Sequence, residues 1–240
     1  MKSRLTKKTD LVLPVSIGTF AKRDLPTLTG RGIWHVHSSP LGEKDPLVQL
    51  TLQATQKGEV ASYPWEAQQA ATLYRVSESR HRTGVIEQIG QEKNLSRYFK
   101  ERVTTVLEEL ISNAIYHSYK GADGKDKYRR KDSVILADKE AVEVRALVSD
   151  EGIFLSVRDK GGSLRPEDLQ RVFARCYDNF GAQIEGKEGG AGLGLYMVFE
   201  QCTHVKITSQ PGVEMEVTVW IARRSNFDPC VFSFNFFRRR

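Results

Sequence analysis

Three short segments of this 240-residue chain carry residues that could bind a phosphorylated ligand. One contains Glu109, Asn113 and His117, the second begins at Asp159, and the third is the glycine-rich sequence GAGLGL at residues 190 to 195. Carboxylate and amide oxygens are suitable ligands for a hard cation such as Mg²⁺. Glycines directly before a helix allow backbone amides to approach phosphate oxygens. The residue types therefore indicate a site for an anionic ligand.

The first segment is expected to lie on a helix that runs from Asn94, as the N-cap, to about Ser118. Glu109, Asn113 and His117 are four residues apart, and each such step advances a helix by only about 40° beyond a full turn, so their side chains form one line. Asn113 and His117 fall at the edge of the apolar face. A half-buried Asn needs a partner such as an ion or a water molecule.

The other two segments are expected at the ends of secondary-structure elements, one after a strand and one before a helix. Asp159 follows a strand predicted over residues 152 to 158, and the glycines after it are by themselves typical of a turn. Gly190, Gly192 and Gly194 precede or open a helix that includes Leu193 and ends near residue 202. The partial positive charge of that helix N-terminus favours phosphate.

In order and in element type, these segments resemble the N, G1 and G2 boxes of the histidine-kinase-like ATPase superfamily, the Bergerat fold. The resemblance covers residues 84 to 222. It implies an α+β fold, a two-layer sandwich in which helices cover one face of a mixed sheet, and it implies ATP and Mg²⁺ as ligands. The G1 box departs from the usual pattern because its second glycine, Gly162, comes one position early.

The resemblance also implies a role for each residue. Asn113 would coordinate magnesium, and Glu109 would act as the general base. His117 lies within the N box and belongs to the nucleotide site. Asp159 would accept a hydrogen bond from the adenine amino group, and Gly161 would let the base approach the backbone.

Residues 164 to 189 correspond to the lid over ATP in this superfamily. Gly190, Gly192, Leu193 and Gly194 would surround the phosphates, and Lys187 could reach the γ-phosphate.

A self-phosphorylating sensor kinase needs a phosphorylatable histidine on a helix, usually followed by an acidic residue. No histidine outside the N box meets this requirement; His81, for example, precedes Arg82. The chain is most similar to the anti-sigma-factor type of serine/threonine kinase, whose partners are a small antagonist protein and a sigma factor. Two alternatives stay open. One is an ATP-gated protein-interaction module without transfer activity, and the other is a kinase catalytic domain acting in trans. We also consider a homodimer.

Composition and charge narrow the function classes. The net charge is +6, but residues 120 to 131 hold six basic and two acidic side chains, and the chain ends in three arginines, so the rest is close to neutral. That distribution does not predict a nucleic-acid-binding stripe. The three cysteines are odd in number and fit free thiols. We find no apolar run of the roughly 18 residues needed to cross a bilayer, and therefore expect a cytoplasmic protein without direct membrane insertion.

Domain organisation follows from composition and periodicity. Residues 1 to 80 are expected to form a small N-terminal domain or extension of no recognised family, with strands at residues 11 to 17, 32 to 36 and 47 to 52. A helical stretch from residue 65 to about 89 would join it to the ATP-binding domain at residues 81 to 222. A basic tail would occupy residues 223 to 240. Within the domain we predict a hairpin over residues 142 to 157, a helix from Pro166, and strands at 205 to 209 and 213 to 221.

Overall fold

A mixed sheet of eight strands forms the centre of the computed structural model, which describes residues 15 to 38, 42, 44 to 66, 71 to 91, 95 to 178, 193 to 223 and 231 to 239. Six helices belong to the same described residues. The predicted α+β sandwich is confirmed. The strands are β1 Val15–Gly18, β2 His35–Ser38, β3 Thr72–Val76, β4 Val142–Val148, β5 Gly152–Asp159, β6 His204–Gln210, β7 Glu214–Ala222 and β8 Ser233–Arg238.

The helices are α1 Leu25–Gly30, α2 Pro46–Lys57, α3 His81–Gly90, α4 Arg97–Tyr116, α5 Pro166–Phe173 and α6 Leu193–Gln201, and a short π-helical turn, Ala174–Asp178, follows α5. Among the described helices, none is both long and apolar enough to cross a bilayer.

The strand order is β1-β2-β8-β6-β7-β5-β4-β3. Two neighbouring pairs, β1 with β2 and β6 with β8, are parallel, and the others are antiparallel. The predicted hairpin is confirmed as β4 and β5, and the predicted last strands are confirmed as β6 and β7. Alternate residues of these strands, such as Ile153, Leu155 and Val157 of β5, belong to the main core, and the opposite face of β5 and β6 is largely buried as well.

Helix α4 is the longest of the described helices and packs on one face of the sheet. It begins at Arg97, because the Ser96 hydroxyl accepts a hydrogen bond from the Phe99 N–H at 3.2 Å. The N-cap is therefore Ser96, and the expected cap, Asn94, lies outside the described residues. The apolar face of α4 packs on the central strands and on α6, and its buried residues include Phe99, Val103, Val106, Leu107, Leu110 and Ile111.

A second, smaller core lies on the opposite face of the sheet, around Phe237 of β8 and Tyr63. Helix α2 packs there, on the face that the prediction left without helices, and the expectation of a strand at residues 47 to 52 is wrong. The Asp45 side chain accepts a hydrogen bond from the Leu47 N–H at 2.8 Å, and Pro46 occupies the first helical turn. These start signals outweigh the apolar run that suggested a strand.

Two further expectations are corrected. The stretch from residue 65 to 89 is not one helix, because β3 and α3 lie within it. The segment expected as a basic tail contributes β8, which lies between β2 and β6 and is buried up to Phe237. Phe234 and Phe236 pack into the main core, and this burial outweighs the terminal arginines. Strands β1, β2 and β3, from residues 15 to 76, belong to the same sheet.

Candidate nucleotide site

A cavity of about 540 Å³ opens between α4, α5, α6 and the central strands. It brings together Asn113 of α4, His117 directly after that helix, Asp159 of β5 and Leu195 of α6, which lie up to 82 positions apart in sequence. Its apolar wall consists of Leu110, Ala114, Val157, Leu164, Val172, Leu195, Met215 and Val217. An apolar cavity with a few convergent polar groups is the usual form of a small-molecule site.

Asp159 lies at the end of β5 with only 1% of its surface exposed. Its Oδ1 accepts hydrogen bonds from the backbone N–H groups of Gly161, at 2.9 Å, and Gly162, at 3.1 Å. Its Oδ2 is buried and has no hydrogen-bond partner among the described residues. Burial raises the pKa of this carboxyl group, and the two backbone N–H groups and the nearby Ser118 side chain oppose that effect. Because an unsatisfied buried oxygen is costly, Oδ2 is suited to accept a ligand N–H.

The two glycines after Asp159 are required by the packing of their loop. A Cβ on Gly161 would lie 2.1 Å from the backbone oxygen of Ser118, at the end of α4. Gly162 has a φ of +57°, and a Cβ there would lie 2.4 Å from the Gln210 backbone oxygen. The second glycine therefore stands at 162 because the loop bends against the turn between β6 and β7. The close approach at Gly161 is to the protein backbone, a role that the sequence had not indicated.

The end of α4 contacts the basic loop, residues 120 to 131, through hydrogen bonds and ion pairs. His117 Nδ1 lies 2.8 Å from Asp126 Oδ2, and Lys120 Nζ lies 2.5 Å from Asp126 Oδ1. Partial burial favours the neutral form of Asp126, but the hydrogen bonds from Lys120 and His117 outweigh it and lower the pKa. The Ser163 hydroxyl also donates to the His117 backbone oxygen at 2.7 Å. His117 therefore supports the cavity wall through partners that sequence reasoning missed.

Glu109 is placed differently from Asn113. It does not line the cavity, and its carboxylate lies against the first turn of α6, where a Cβ on Gly194 would be 2.0 Å from Glu109 Oε2. Arg130 Nη2 is 3.5 Å from the same oxygen. Gly194 thus permits close packing of α6 on the Glu109 side chain. The catalytic role of Glu109 stays a prediction.

The remaining predicted residues belong to the lid and the glycine-rich segment. Lys187, Gly190 and Gly192 lie outside the described residues, and Leu193 is described only as the first residue of α6. The predicted helix start at Pro166 is confirmed. Three cationic side chains from this region line the cavity beside Asp168: Arg165, Arg171 and Arg175.

Magnesium could be held here mainly by the nucleotide. In the described part of the chain, no three His, Cys, Asp or Glu residues are grouped so as to hold a metal ion. Mg²⁺ commonly takes one or two protein oxygens and completes its shell with phosphate oxygens and water. The half-buried Asn113 amide on the cavity wall fits that requirement as a hard oxygen donor.

Sequence reasoning missed several cavity residues, among them Ser118, Ser163, Asp126 and Met215. Ser118 and Ser163 directly adjoin predicted site segments, so their neighbourhood was a usable signal. Asp126 lies in a loop, and Met215 on a strand from another part of the chain. Nothing in their local sequence indicates the cavity.

Comparisons with known proteins agree with this geometry. A family model described as histidine kinase-, DNA gyrase B-, and HSP90-like ATPase matches residues 100 to 225. The serine-protein kinase RsbW of Bacillus pumilus is 30% identical over 128 residues, which is 51% of this chain and 66% of that protein. The sensor histidine kinase MtrB of Mycolicibacterium paratuberculosis is 28% identical over 116 residues, 47% of this chain and 17% of that protein.

The matched segments span less than two thirds of each of these relatives. The family match nevertheless covers more than half of this chain, including the α4 residues, Asp159 and α6 that surround the cavity. Membership implies that this domain binds ATP. The chain belongs to the histidine kinase-, DNA gyrase B- and HSP90-like ATPase family.

Proposed function

We propose that this protein is an ATP- and magnesium-dependent regulatory kinase that phosphorylates a partner protein on Ser or Thr, as an anti-sigma type kinase does. The observation that carries the proposal is the buried, unpartnered Oδ2 of Asp159 on the cavity wall. The exocyclic amino group of adenine supplies the donor that this oxygen lacks. A guanine would instead present a carbonyl oxygen to the carboxylate, which is repulsive.

With the base at Asp159, the phosphates would extend along α4 toward the start of α6. Asn113 would offer its amide oxygen to Mg²⁺ on that path, and the N-terminal end of α6 would favour the phosphate charge. Lys187, Gly190, Gly192 and Leu193 are proposed to complete the phosphate site. In phosphoryl transfer the protein mainly positions groups and stabilises charge.

Glu109, one turn before Asn113, is proposed as the general base for the acceptor hydroxyl. The likeness to RsbW supports a serine-directed reaction, with an antagonist protein or a sigma factor as the partner. Action in the cytoplasm, either as a homodimer or as a catalytic domain acting in trans, is part of the same proposal.

One observation favours a second candidate, an ATP-gated interaction module without transfer activity. The Glu109 carboxylate lies beside Arg130 and Gly194 and does not line the cavity. A base must reach within hydrogen-bonding distance of the proton that it removes. If Glu109 keeps this position when ATP is bound, nucleotide binding can still change the surface that a partner protein contacts, but no phosphoryl group is transferred.

The two candidates are separated by γ-phosphate transfer to candidate partner proteins, with ATP hydrolysis followed in parallel. Asn113→Ala removes the proposed magnesium ligand and is expected to abolish tight ATP binding and transfer. Glu109→Gln cannot accept a proton, so we expect ATP affinity within a few fold of the parent and transfer about 10²- to 10⁴-fold slower. Glu101→Gln, on an exposed part of α4, is the matched control and should change neither.

A parent protein that binds ATP, hydrolyses none and labels no partner would contradict the kinase proposal and leave the interaction module. A Glu109→Gln variant that transfers phosphate at the parent rate would remove Glu109 from the mechanism.

A further inference from the structure

Arg130 of the basic loop forms an ion pair with Glu109 of the N box. Its Nη2 lies 3.5 Å from Glu109 Oε2. Other cations of this loop pair within the loop or with the residues just after it: Lys120 with Asp126, Lys127 with Glu140 and Arg129 with Asp132. Arg130 is therefore directed back toward α4.

The backbone next to Arg130 is anchored at a buried carboxylate. Lys127 Nζ donates to Glu140 Oε1 at 2.6 Å, and the Tyr128 hydroxyl donates to Glu140 Oε2 at 2.7 Å. Glu140 is only 6% exposed. Two residues beyond this anchor, 42% of the Arg130 side chain is exposed, so the guanidinium can change partner while its backbone stays in place.

The position of the ion pair relates Arg130 to the phosphate end of the site. The Glu109 carboxylate packs against Gly194 in the first turn of α6, and the next residue, Leu195, lines the cavity. Asp159 lies on the wall contributed by β5. If adenine binds at Asp159, the terminal phosphate is the part of ATP that would approach Glu109 and Arg130.

The contact between Arg130 and Glu109 is weak enough to be exchanged. The two atoms are 3.5 Å apart, and Glu109 Oε2, although buried, makes no hydrogen bond among the described residues, so it holds the guanidinium by charge alone. Partly exposed ion pairs contribute little net stability. A phosphate offers the planar guanidinium two parallel hydrogen bonds and more negative charge than one carboxylate.

We propose that Arg130 binds the terminal phosphate of ATP and that Glu109 holds its guanidinium when no nucleotide is bound. The inference rests on the proposed ATP site. Transfer of Arg130 to the phosphate would leave the Glu109 carboxylate without its cationic partner at the moment when ATP is in place. The basic loop would then distinguish ATP from ADP.

The test is calorimetric titration of the full chain with MgATP and with MgADP. In Arg130→Ala we expect the Kd for ATP to rise about tenfold and the Kd for ADP to change less than twofold, because only ATP has the third phosphate. Arg129→Ala is the matched control. It removes an adjacent arginine that pairs with Asp132, and it should leave both affinities unchanged.

Equal weakening of ATP and ADP, or unchanged affinity for both, would overturn the role of Arg130 even if the ATP site exists. A parent protein that binds neither nucleotide would overturn the ATP site itself, and the inference with it. Thermal unfolding without nucleotide checks the fold of each variant, and Arg130→Gln, which keeps most of the side chain, replaces the alanine variant if that variant unfolds.

Discussion

At the scale of single residues, Asp159 shows how burial prepares a side chain for a ligand. One carboxylate oxygen is used by the protein to fix the Gly161 and Gly162 loop, and the other is left buried on the cavity wall. The free energy lost by leaving that oxygen unpaired is recovered when a donor binds. The same side chain thus orders the loop and selects the ligand.

Asp159→Asn tests this selection. We expect ATP binding to weaken by about 1 to 3 kcal/mol, because the amide NH₂ is a donor and must face another donor in either orientation. It faces the adenine amino group in one orientation and the N–H groups of Gly161 and Gly162 in the other. The parent should bind GTP poorly. Calorimetry with both nucleotides measures this, and equal affinities of the parent for ATP and GTP would refute the adenine contact.

A stability measurement controls for misfolding of the same variant. Burial already raises the pKa of Asp159, so the ionised carboxyl is disfavoured in the fold. Removing its charge should therefore not lower the midpoint of thermal unfolding without nucleotide. A large fall in that midpoint would assign the lost binding to a damaged loop.

At the scale of elements, α6 is held at its C-terminal end by two buried cations. Lys22 Nζ donates to the backbone oxygens of Phe199, of Glu200 at 3.2 Å and of Cys202 at 3.1 Å. Arg102 of α4 donates to the Gln201 oxygen at 2.6 Å. The carbonyls at a helix end lack partners within the helix, and cations there also complement its dipole. Lys22 lies outside residues 100 to 225, so a residue beyond the family match positions α6.

Lys22→Met is expected to lower the free energy of unfolding by about 2 kcal/mol, because three carbonyls lose a charged donor that the methionine cannot replace. ATP affinity should fall as well, since α6 begins at the phosphate end of the site. Urea unfolding and nucleotide titration measure the two effects. Arg23→Met, at the exposed neighbouring position, is the control. If Lys22→Met leaves both the free energy of unfolding and the ATP affinity unchanged, Lys22 does not hold α6.

At the scale of the whole molecule, the sheet has a second buried face with its own chemistry. His37 on β2, Ser233 on β8 and His204 on β6 are register partners in one row, and His35 pairs with Asn235 in the next. Burial lowers the pKa of His35 and His37 to about 4 and that of His204 to about 3. These side chains are therefore neutral in the folded protein and protonate more readily once the chain unfolds.

Acid should destabilise the protein through these histidines. The folded pKa values lie below the ordinary value of 6.5, so the unfolded chain binds more protons and the free energy of unfolding falls as the pH drops from about 6.5 toward 4. For one such histidine the loss between pH 7 and pH 5 is about 2 kcal/mol. Urea unfolding at both pH values measures it.

His37→Phe isolates one contribution, because phenylalanine keeps an aromatic ring at this buried position and cannot be protonated. Between the two pH values, the free energy of unfolding of the variant should fall by about 2 kcal/mol less than that of the parent. An identical loss in both proteins would show that His37 does not carry the pH dependence.

The sequence by itself determined the elements with strong local signals. The apolar period of α4, the alternation in β4 and β5, and Pro166 at the start of α5 each depend on residues within one element, and all three are found. The three segments with nucleotide-box patterns also indicated the family, because their backbone requirements are local. Local start signals also determine α2, where Asp45 and Pro46 begin a helix although the apolar run predicts a strand.

Only the tertiary structure decided what depends on distant partners. The place of β8 between β2 and β6 follows from burial of Phe234 and Phe236, although the terminal arginines suggested a solvated tail. The loop that turns Arg130 to Glu109 and the contact of Lys22 with α6, 177 or more positions away, have no local sequence pattern. Such contacts form because packing brings the chain segments together and buried polar groups must then find partners.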